Sequence, residues 1–68
     1  MKTLIDEAAD LLNAERVRLY CEPLCVVQRE ALYNEATWRG ELSNMDFYGY
    51  DVSAARVLLE RHYVGEEY

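Results

Sequence analysis

The chain has 68 residues, of which seven are basic and thirteen acidic, and its formal net charge is −6. A chain of this length forms one domain, and its acidic balance argues against direct binding to nucleic acid or anionic membranes, because phosphate binding requires clustered lysine and arginine. No apolar run approaches the ~18 residues that span a bilayer, and the start of the chain turns acidic too early for a signal peptide. We therefore expect a cytoplasmic protein whose partner is a protein with a basic surface.

The first predicted helix begins after Thr3, which can cap it, with Asp6 three positions later as in a capping box. Apolar side chains then recur at three- and four-residue spacing, which is typical of an amphipathic helix of about four turns. They are Leu4, Ile5, Ala8, Leu11 and Leu12. The carboxylates of Asp6, Glu7 and Asp10 take the opposite, solvated side and suit the positive helix end. A surface that mimics phosphate groups is the functional alternative for these acids.

The end of this helix is ambiguous in the sequence. Residues 16–22 alternate apolar and polar side chains, which is the period of a strand, but they also fit a continued helix. Pro23 pushes Glu22 out of the helical region, so a break falls there. We favour helix up to the break and keep a short strand near residues 17–21 as the alternative.

A second helix is predicted to run from Pro23, which suits a first helical position, to a terminator at Gly40. Its apolar side is broad and is interrupted by polar residues, so the helix is either buried on two sides or lends one side to a partner. That side carries Leu24, Val27, Ala31 and Trp38. Because a small domain buries little surface by itself, a homodimer through residues 24–38 is an open alternative.

Residues 40–51, called here the acidic-aromatic segment, hold three carboxylates, three aromatic rings, two glycines and no basic residue. We predict that most of the segment is a structured loop between the second and third helices. Ser43 and Asp46 have the spacing of a capping box, so a single helical turn can form inside it. Phe47 is assigned to the core, as is Trp38 before the segment.

The last predicted helix is capped by Asp51 or Ser53 and closed by Gly65. Its apolar face includes Val52, Ala55, Leu58 and Leu59, with His62 on the inward or partly inward side. The sequence therefore predicts an all-α domain of three helices, with the acidic-aromatic loop between the second and the third. The strand near residues 17–21 would make the fold α+β instead.

Catalytic and metal-binding patterns are absent from the sequence. Cys21, Cys25 and His62 are one ligand short of a structural zinc site, unless subunits share the metal. We expect both cysteines to behave as small buried apolar residues and His62 to be structural. There is no phosphate-binding loop, nucleophile elbow or paired-histidine motif. We therefore predict a protein that is not an enzyme and holds no cofactor.

The functional prediction rests mainly on the aromatic residues. Tyr48, Tyr50 and Tyr68 cannot all be buried in so small a domain, and tyrosine is frequent at interface hot spots because it supplies large contact area at low entropic cost. In the alternative, Tyr48 or Tyr50 folds back over the core. We predict that three carboxylates face arginine or lysine on the partner while two rings pack into the contact. This partner-binding set is Glu41, Asp46, Tyr48, Tyr50 and Asp51.

Chain size, the net charge of −6 and the run from Glu41 to Asp51 resemble small phage-encoded inhibitor proteins, including the anti-CRISPR group. The resemblance implies a stoichiometric inhibitor that covers a basic nucleic-acid site, or a subunit contact, on a bacterial defence complex or another nucleic-acid-binding host protein. It carries over no functional residues. Two alternatives are a small dimeric regulatory or adaptor subunit of the antitoxin kind, and a small metal- or thiol-dependent enzyme that uses Cys21, Cys25 and His62.

Overall fold

The computed structural model describes residues 2–65, and this part of the chain contains four helices and no strand. The helices are α1 (Leu4–Tyr20), α2 (Val26–Leu32), α3 (Trp38–Phe47) and α4 (Ser53–Tyr63). The all-helical class is confirmed, but the predicted count of three helices is wrong. The alternative strand near residues 17–21 is also wrong, because α1 continues to Tyr20.

The start of α1 follows the predicted capping box. The Thr3 hydroxyl oxygen accepts a hydrogen bond from the Asp6 amide at 3.1 Å, and the Asp6 carboxylate accepts one from the Thr3 amide at 3.2 Å. Two backbone donors at the helix end are satisfied in this way. The helix ends at Cys21, which adopts a left-handed conformation with φ 60°. This position normally favours glycine, so the local strain has to be offset elsewhere in the fold.

The connection from α1 to α2 is longer than predicted. The Leu24 amide donates to the side-chain oxygen of Asn13 at 2.9 Å, which ties the connection to α1. The next helix begins only at Val26, with Cys25 as its N-cap residue, so the prediction that Pro23 opens it is wrong. The Cys25 amide donates to the Gln28 side-chain oxygen at 3.3 Å.

The predicted second helix is broken into α2 and α3 by residues 33–37. The Asn34 side-chain oxygen accepts the Ala36 amide at 2.8 Å, and the Thr37 hydroxyl donates to the Ala31 carbonyl at 2.8 Å. Such local side-chain bonds compete with helix hydrogen bonds, which explains the break. Gly40 therefore lies inside α3 and does not terminate a helix.

The structure differs most from the sequence-based prediction at the end of α3. Gly49 has φ +97°, its amide donates to the Asp46 carbonyl at 3.1 Å, and the Tyr50 amide donates to the Met45 carbonyl at 3.0 Å. These two bonds with a left-handed glycine form a Schellman motif, which reverses the chain. The predicted loop is therefore helical up to Phe47, and Ser43 with Asp46 lies within the helix and caps nothing.

Helices α1 and α4 pack most extensively on each other. The core lies between this pair and the pair formed by α2 and α3. Trp38 is fully buried, as predicted, and its ring stacks on Tyr63 with centroids 5.4 Å apart. The Tyr63 hydroxyl donates to the Leu32 carbonyl at 2.6 Å, so this cluster joins α2, α3 and α4. The assignment of Phe47 to the core is wrong, because its side chain is exposed.

The last helix largely follows its prediction. The Asp51 carboxylate accepts the Ser53 amide at 3.2 Å, although the N-cap position itself is Val52. Gly65 follows α4 with φ +92°, as expected of a helix-closing glycine. His62 is exposed, which corrects its inward placement. None of the helices formed by residues 2–65 is long and apolar enough to span a bilayer.

Candidate functional site

The acidic-aromatic segment divides at Gly49 into two parts with different surroundings. Residues 41–48 belong to α3 and its C-cap, whereas residues 49–51 cross to α1. Of the five predicted partner-binding residues, Glu41, Asp46 and Tyr48 lie in the first part, and Tyr50 and Asp51 lie in the second.

The outward part of α3 is dominated by an aromatic pair. Phe47 is 81% exposed and Tyr48 is 57% exposed, and their rings meet edge to face with centroids 5.2 Å apart. The chain reversal at Gly49 leaves both rings outside the core. Sequence reasoning missed Phe47 as a surface residue, and the glycine two positions after it was the signal that the helix stops there.

The two acids of α3 flank this pair on different sides. Asp46 lies five positions after Glu41, which places the two about 140° apart around a helix of 3.6 residues per turn. Tyr48 lies seven positions after Glu41 and is therefore on the same side as Glu41. Asp46 is exposed and has no ion-pair partner among residues 2–65. Glu41 is half-buried, and burial raises the pKa of its carboxyl group.

The remaining two predicted residues are engaged by α1. Tyr50 is only 4% exposed, and its hydroxyl accepts a hydrogen bond from the Arg16 guanidinium at 3.2 Å. The Asp51 amide donates to the Glu15 carboxylate at 2.9 Å. Tyr50 thus follows the alternative in which a tyrosine folds back over the core, and its ring offers a partner almost no surface.

Arg18 strengthens the attachment to α1. It forms an ion pair with Glu15 at 2.6 Å, and its guanidinium donates to the Gly49 carbonyl at 3.4 Å. The bond from Arg18, followed by that from the Asp51 amide, holds the pKa of the Glu15 carboxyl below its usual range. The basic groups that meet this half of the segment therefore come from the chain itself.

A cleft of about 200 Å³ opens beside this junction. Its lining consists of Arg16, Tyr20, Gln28, Asn44, Met45, Tyr48 and Tyr50. The Arg16 guanidinium lies over the Tyr20 ring at 4.4 Å and pairs with the Glu22 carboxylate at 2.6 Å, and the Tyr20 and Tyr50 ring centroids are 6.3 Å apart. Sequence reasoning did not find this cleft, because three helices contribute to it and no local pattern marks it.

No protein-family model, curated protein or solved structure matches this chain.

The two cysteines and His62 are the residues of the alternative metal- or thiol-dependent site. Cys21 and Cys25 are both exposed, so the prediction that they are buried apolar residues is wrong. No three or more histidine, cysteine, aspartate or glutamate side chains within residues 2–65 are grouped so as to hold a metal ion. The His62 and Tyr63 rings meet edge to face, with centroids 4.9 Å apart.

The acids of α1 are partly used by the fold. The Asp6 carboxylate accepts a hydrogen bond from the Tyr33 hydroxyl, which, with the capping bonds to Thr3, lowers the pKa of Asp6. Asp10 pairs with Lys2, and Glu7 is exposed. These contacts favour the structural interpretation of this acidic group. Tyr68, also considered as a surface ring, lies outside the described residues.

Proposed function

We propose that this protein is a non-catalytic, protein-binding inhibitor that covers a basic surface of its partner with the outward side of α3. The observation that carries the proposal is the exposed edge-to-face pair of Phe47 and Tyr48, flanked by Glu41 and Asp46. Large exposed rings in contact with each other form the kind of apolar patch that marks interaction sites. Aromatic side chains of this kind dominate the free energy of binding at protein interfaces.

The charges around the pair support a basic partner. Asp46 has no ion-pair partner among residues 2–65, and the chain as a whole carries a net charge of −6. Such a distribution accelerates association with a positively charged surface and fixes the orientation of the complex more than it adds affinity. Binding by this surface should therefore have an association rate that falls as salt concentration rises.

For the identity of the partner, we propose a bacterial defence complex of the CRISPR–Cas type or another nucleic-acid-binding host protein. Support comes from the small size, the acidic character and the resemblance to phage-encoded inhibitors. Proteins that bind nucleic acid present clustered lysine and arginine, which is the surface that an acidic and aromatic patch complements. In this proposal the protein is phage-derived and acts in the cytoplasm of the bacterial host.

The test starts from affinity capture in a bacterial lysate, followed by titration of the recovered partner, once purified, with defined variants. The contact variant combines Asp46→Lys with Tyr48→Ala. The matched control combines Glu60→Lys with Val57→Ala, which makes the same kinds of change at exposed positions of α4. The contact variant should lose binding while the control keeps it. Equal binding by both would exclude α3 as the contact.

A single substitution sharpens this test. Phe47→Ala should weaken binding about 30-fold, which corresponds to the loss of about 2 kcal/mol that defines an interface hot spot. Circular dichroism should show an unchanged helical content, because Phe47 is exposed. Isothermal titration calorimetry of the purified complex measures the change.

The second candidate, a small dimeric regulatory subunit, has one observation in its favour. Val26 and Val27 at the start of α2 are 70% and 73% exposed, although the sequence pattern assigns Val27 to a buried side. Light scattering after size-exclusion chromatography separates the candidates. A stable dimer that dissociates on Val26→Ser with Val27→Ser would favour the regulatory subunit, whereas a monomer favours the inhibitor.

A further inference from the structure

The cleft between α1, α2 and the end of α3 has an unexpected charge for this chain. Its lining contains the guanidinium of Arg16, two amide side chains and three tyrosine rings, and it contains no carboxylate. The chain as a whole has thirteen acidic residues against seven basic ones. A cleft in which a guanidinium is the one charged lining group is unexpected in so acidic a protein, and the proposed contact on α3 does not account for it.

The hydrogen-bond donors of the cleft outnumber its acceptors. The Nε atom of Arg16 is buried and has no hydrogen-bond partner in the described part of the chain. The Tyr50 hydroxyl accepts from Arg16, since a guanidinium can only donate, so its own proton remains to be donated. The unmade bond of a buried donor costs free energy, and the Tyr50 proton is a further donor without an acceptor.

Gln28 adds a further donor to the same side. Its side-chain oxygen is occupied by the Cys25 amide at 3.3 Å, which leaves the amide nitrogen. Asn44, the other amide in the lining, makes no side-chain hydrogen bond within residues 2–65. The groups that remain available are therefore mainly donors, and they surround a fixed positive charge.

Glu22 already shows what kind of group this arrangement takes. Its carboxylate lies 2.6 Å from the Nη2 atom of Arg16, and its side chain is exposed on the connection between α1 and α2. An exposed ion pair of this kind contributes little free energy, so an incoming anion can exchange with it. Glu22 is an internal occupant of one edge of the guanidinium.

We propose that this cleft binds a carboxylate group of a ligand, with Arg16 as the charged donor and Tyr50 and Gln28 as neutral donors. Arginine suits this role because its planar guanidinium matches a carboxylate with two parallel hydrogen bonds. The volume of about 200 Å³ lies below the about 300 Å³ at which pockets for drug-sized ligands begin, so the cleft fits one short side chain or a small acid. The tyrosine rings and Met45 would contact the aliphatic part of the ligand.

The ligand has two sources with the same chemistry, a free small carboxylate or an acidic side chain of a polypeptide. Propionate represents the first, and a blocked Ala-Glu-Ala tripeptide represents the second. A blocked Ala-Gln-Ala tripeptide and sodium chloride at equal ionic strength are the controls. Tighter binding of the glutamate peptide than of propionate identifies a polypeptide, and the reverse order identifies a small acid.

The readout is the Nε–H signal of Arg16 in nitrogen–proton NMR spectra of the whole chain. Saturable movement of this signal with either carboxylate, beyond the movement that chloride and the glutamine peptide cause, is the expected result. If the Arg16 signal moves no further with carboxylates than with these controls, the proposal is overturned. This measurement uses the unaltered protein and does not depend on a variant that folds.

Two variants then test the assigned roles. Arg16→Lys keeps the charge but removes the fork of donors, and it should weaken carboxylate binding about tenfold. Glu22→Gln removes the internal competitor and should strengthen binding, also about tenfold. The same affinity in both variants as in the wild type would place the carboxylate elsewhere and overturn the proposal. Glu60→Lys with Val57→Ala, at exposed positions of α4 that do not line the cleft, should leave carboxylate binding unchanged.

Discussion

Phe47 and Tyr50 lie three residues apart in one acidic-aromatic segment, yet Phe47 is 81% exposed and Tyr50 only 4% exposed. Between them the Schellman motif at Gly49 turns the chain from the outer surface of α3 toward α1. The sequence predicted that this segment binds a basic surface of a partner. The comparison shows that part of it instead contacts basic residues of the chain itself, Arg16 and Arg18. Phe47 and Tyr48 before Gly49 are left exposed for a partner, and after it the side chain of Asp51 is exposed as well.

The largest expected effect is the difference in protein stability between a variant that lacks the Tyr50 ring and one that lacks the Phe47 ring. Tyr50→Ala should lower the free energy of unfolding by about 3–5 kcal/mol, as for other buried rings, because it opens a cavity and removes the acceptor of Arg16. Phe47→Ala should change it by less than about 0.5 kcal/mol, because the ring is exposed. Urea denaturation followed by circular dichroism measures both. Similar losses would mean that the two rings do not differ in burial.

The two glycines of the segment give a second test of intermediate size. Gly49→Ala should destabilise the fold by about 1–2 kcal/mol, because φ +97° is a left-handed conformation that side chains with a Cβ atom disfavour. Gly40→Ala should stabilise it by about 0.5–1 kcal/mol, since Gly40 lies within α3 and a Cβ atom there meets nothing within 4 Å. Opposite shifts of the thermal midpoint are expected, and shifts of equal sign would contradict the helix boundaries.

The smallest effects are the opposite pH dependences of Glu15 and Glu41. The pKa of Glu15 is lowered by Arg18 and by the Asp51 amide, so its stabilising contribution is present above its ordinary pKa and is lost as pH falls through the folded-state pKa. The pKa of Glu41 is raised by burial, so its contribution is present below the ordinary pKa and is lost as pH rises through the folded-state pKa.

Substitution by glutamine makes this difference measurable. At neutral pH Glu15→Gln should lower the urea midpoint and Glu41→Gln should raise it slightly. At a pH below both carboxyl pKa values, each variant should approach the wild type. A Glu41→Gln variant that is less stable at neutral pH would indicate that the carboxylate has a favourable partner.

Features that depend on neighbouring residues were predictable from the sequence. The Thr3–Asp6 capping box needs only a spacing of three residues, and the helix-closing role of Gly65 follows from its position after an apolar repeat. The burial of Trp38 follows from its size and apolar surface. In each case local chemistry and tertiary packing favour the same outcome.

The errors arose where local signals compete or where contacts are distant. Gly40 and Gly49 are both plausible helix terminators, and only the hydrogen bonds to the Met45 and Asp46 carbonyls decide for Gly49. The contact between Arg16 and Tyr50 spans 34 positions of sequence, so no local pattern announces it. The helix break at residues 33–37 depends on side-chain bonds of Asn34 and Thr37 that a broad apolar pattern conceals.

Hydroxyl-radical footprinting with mass spectrometry, on the free protein and on its complex with the recovered partner, tests the division at Gly49 most directly. In the free protein Phe47 and Tyr48 should be labelled strongly and Tyr50 hardly at all. In the complex the labelling of Phe47 and Tyr48 should fall, while that of Tyr50 stays low. Labelling of Tyr50 comparable to that of Phe47 in the free protein, or undiminished labelling of Phe47 and Tyr48 in the complex, would contradict the proposed contact.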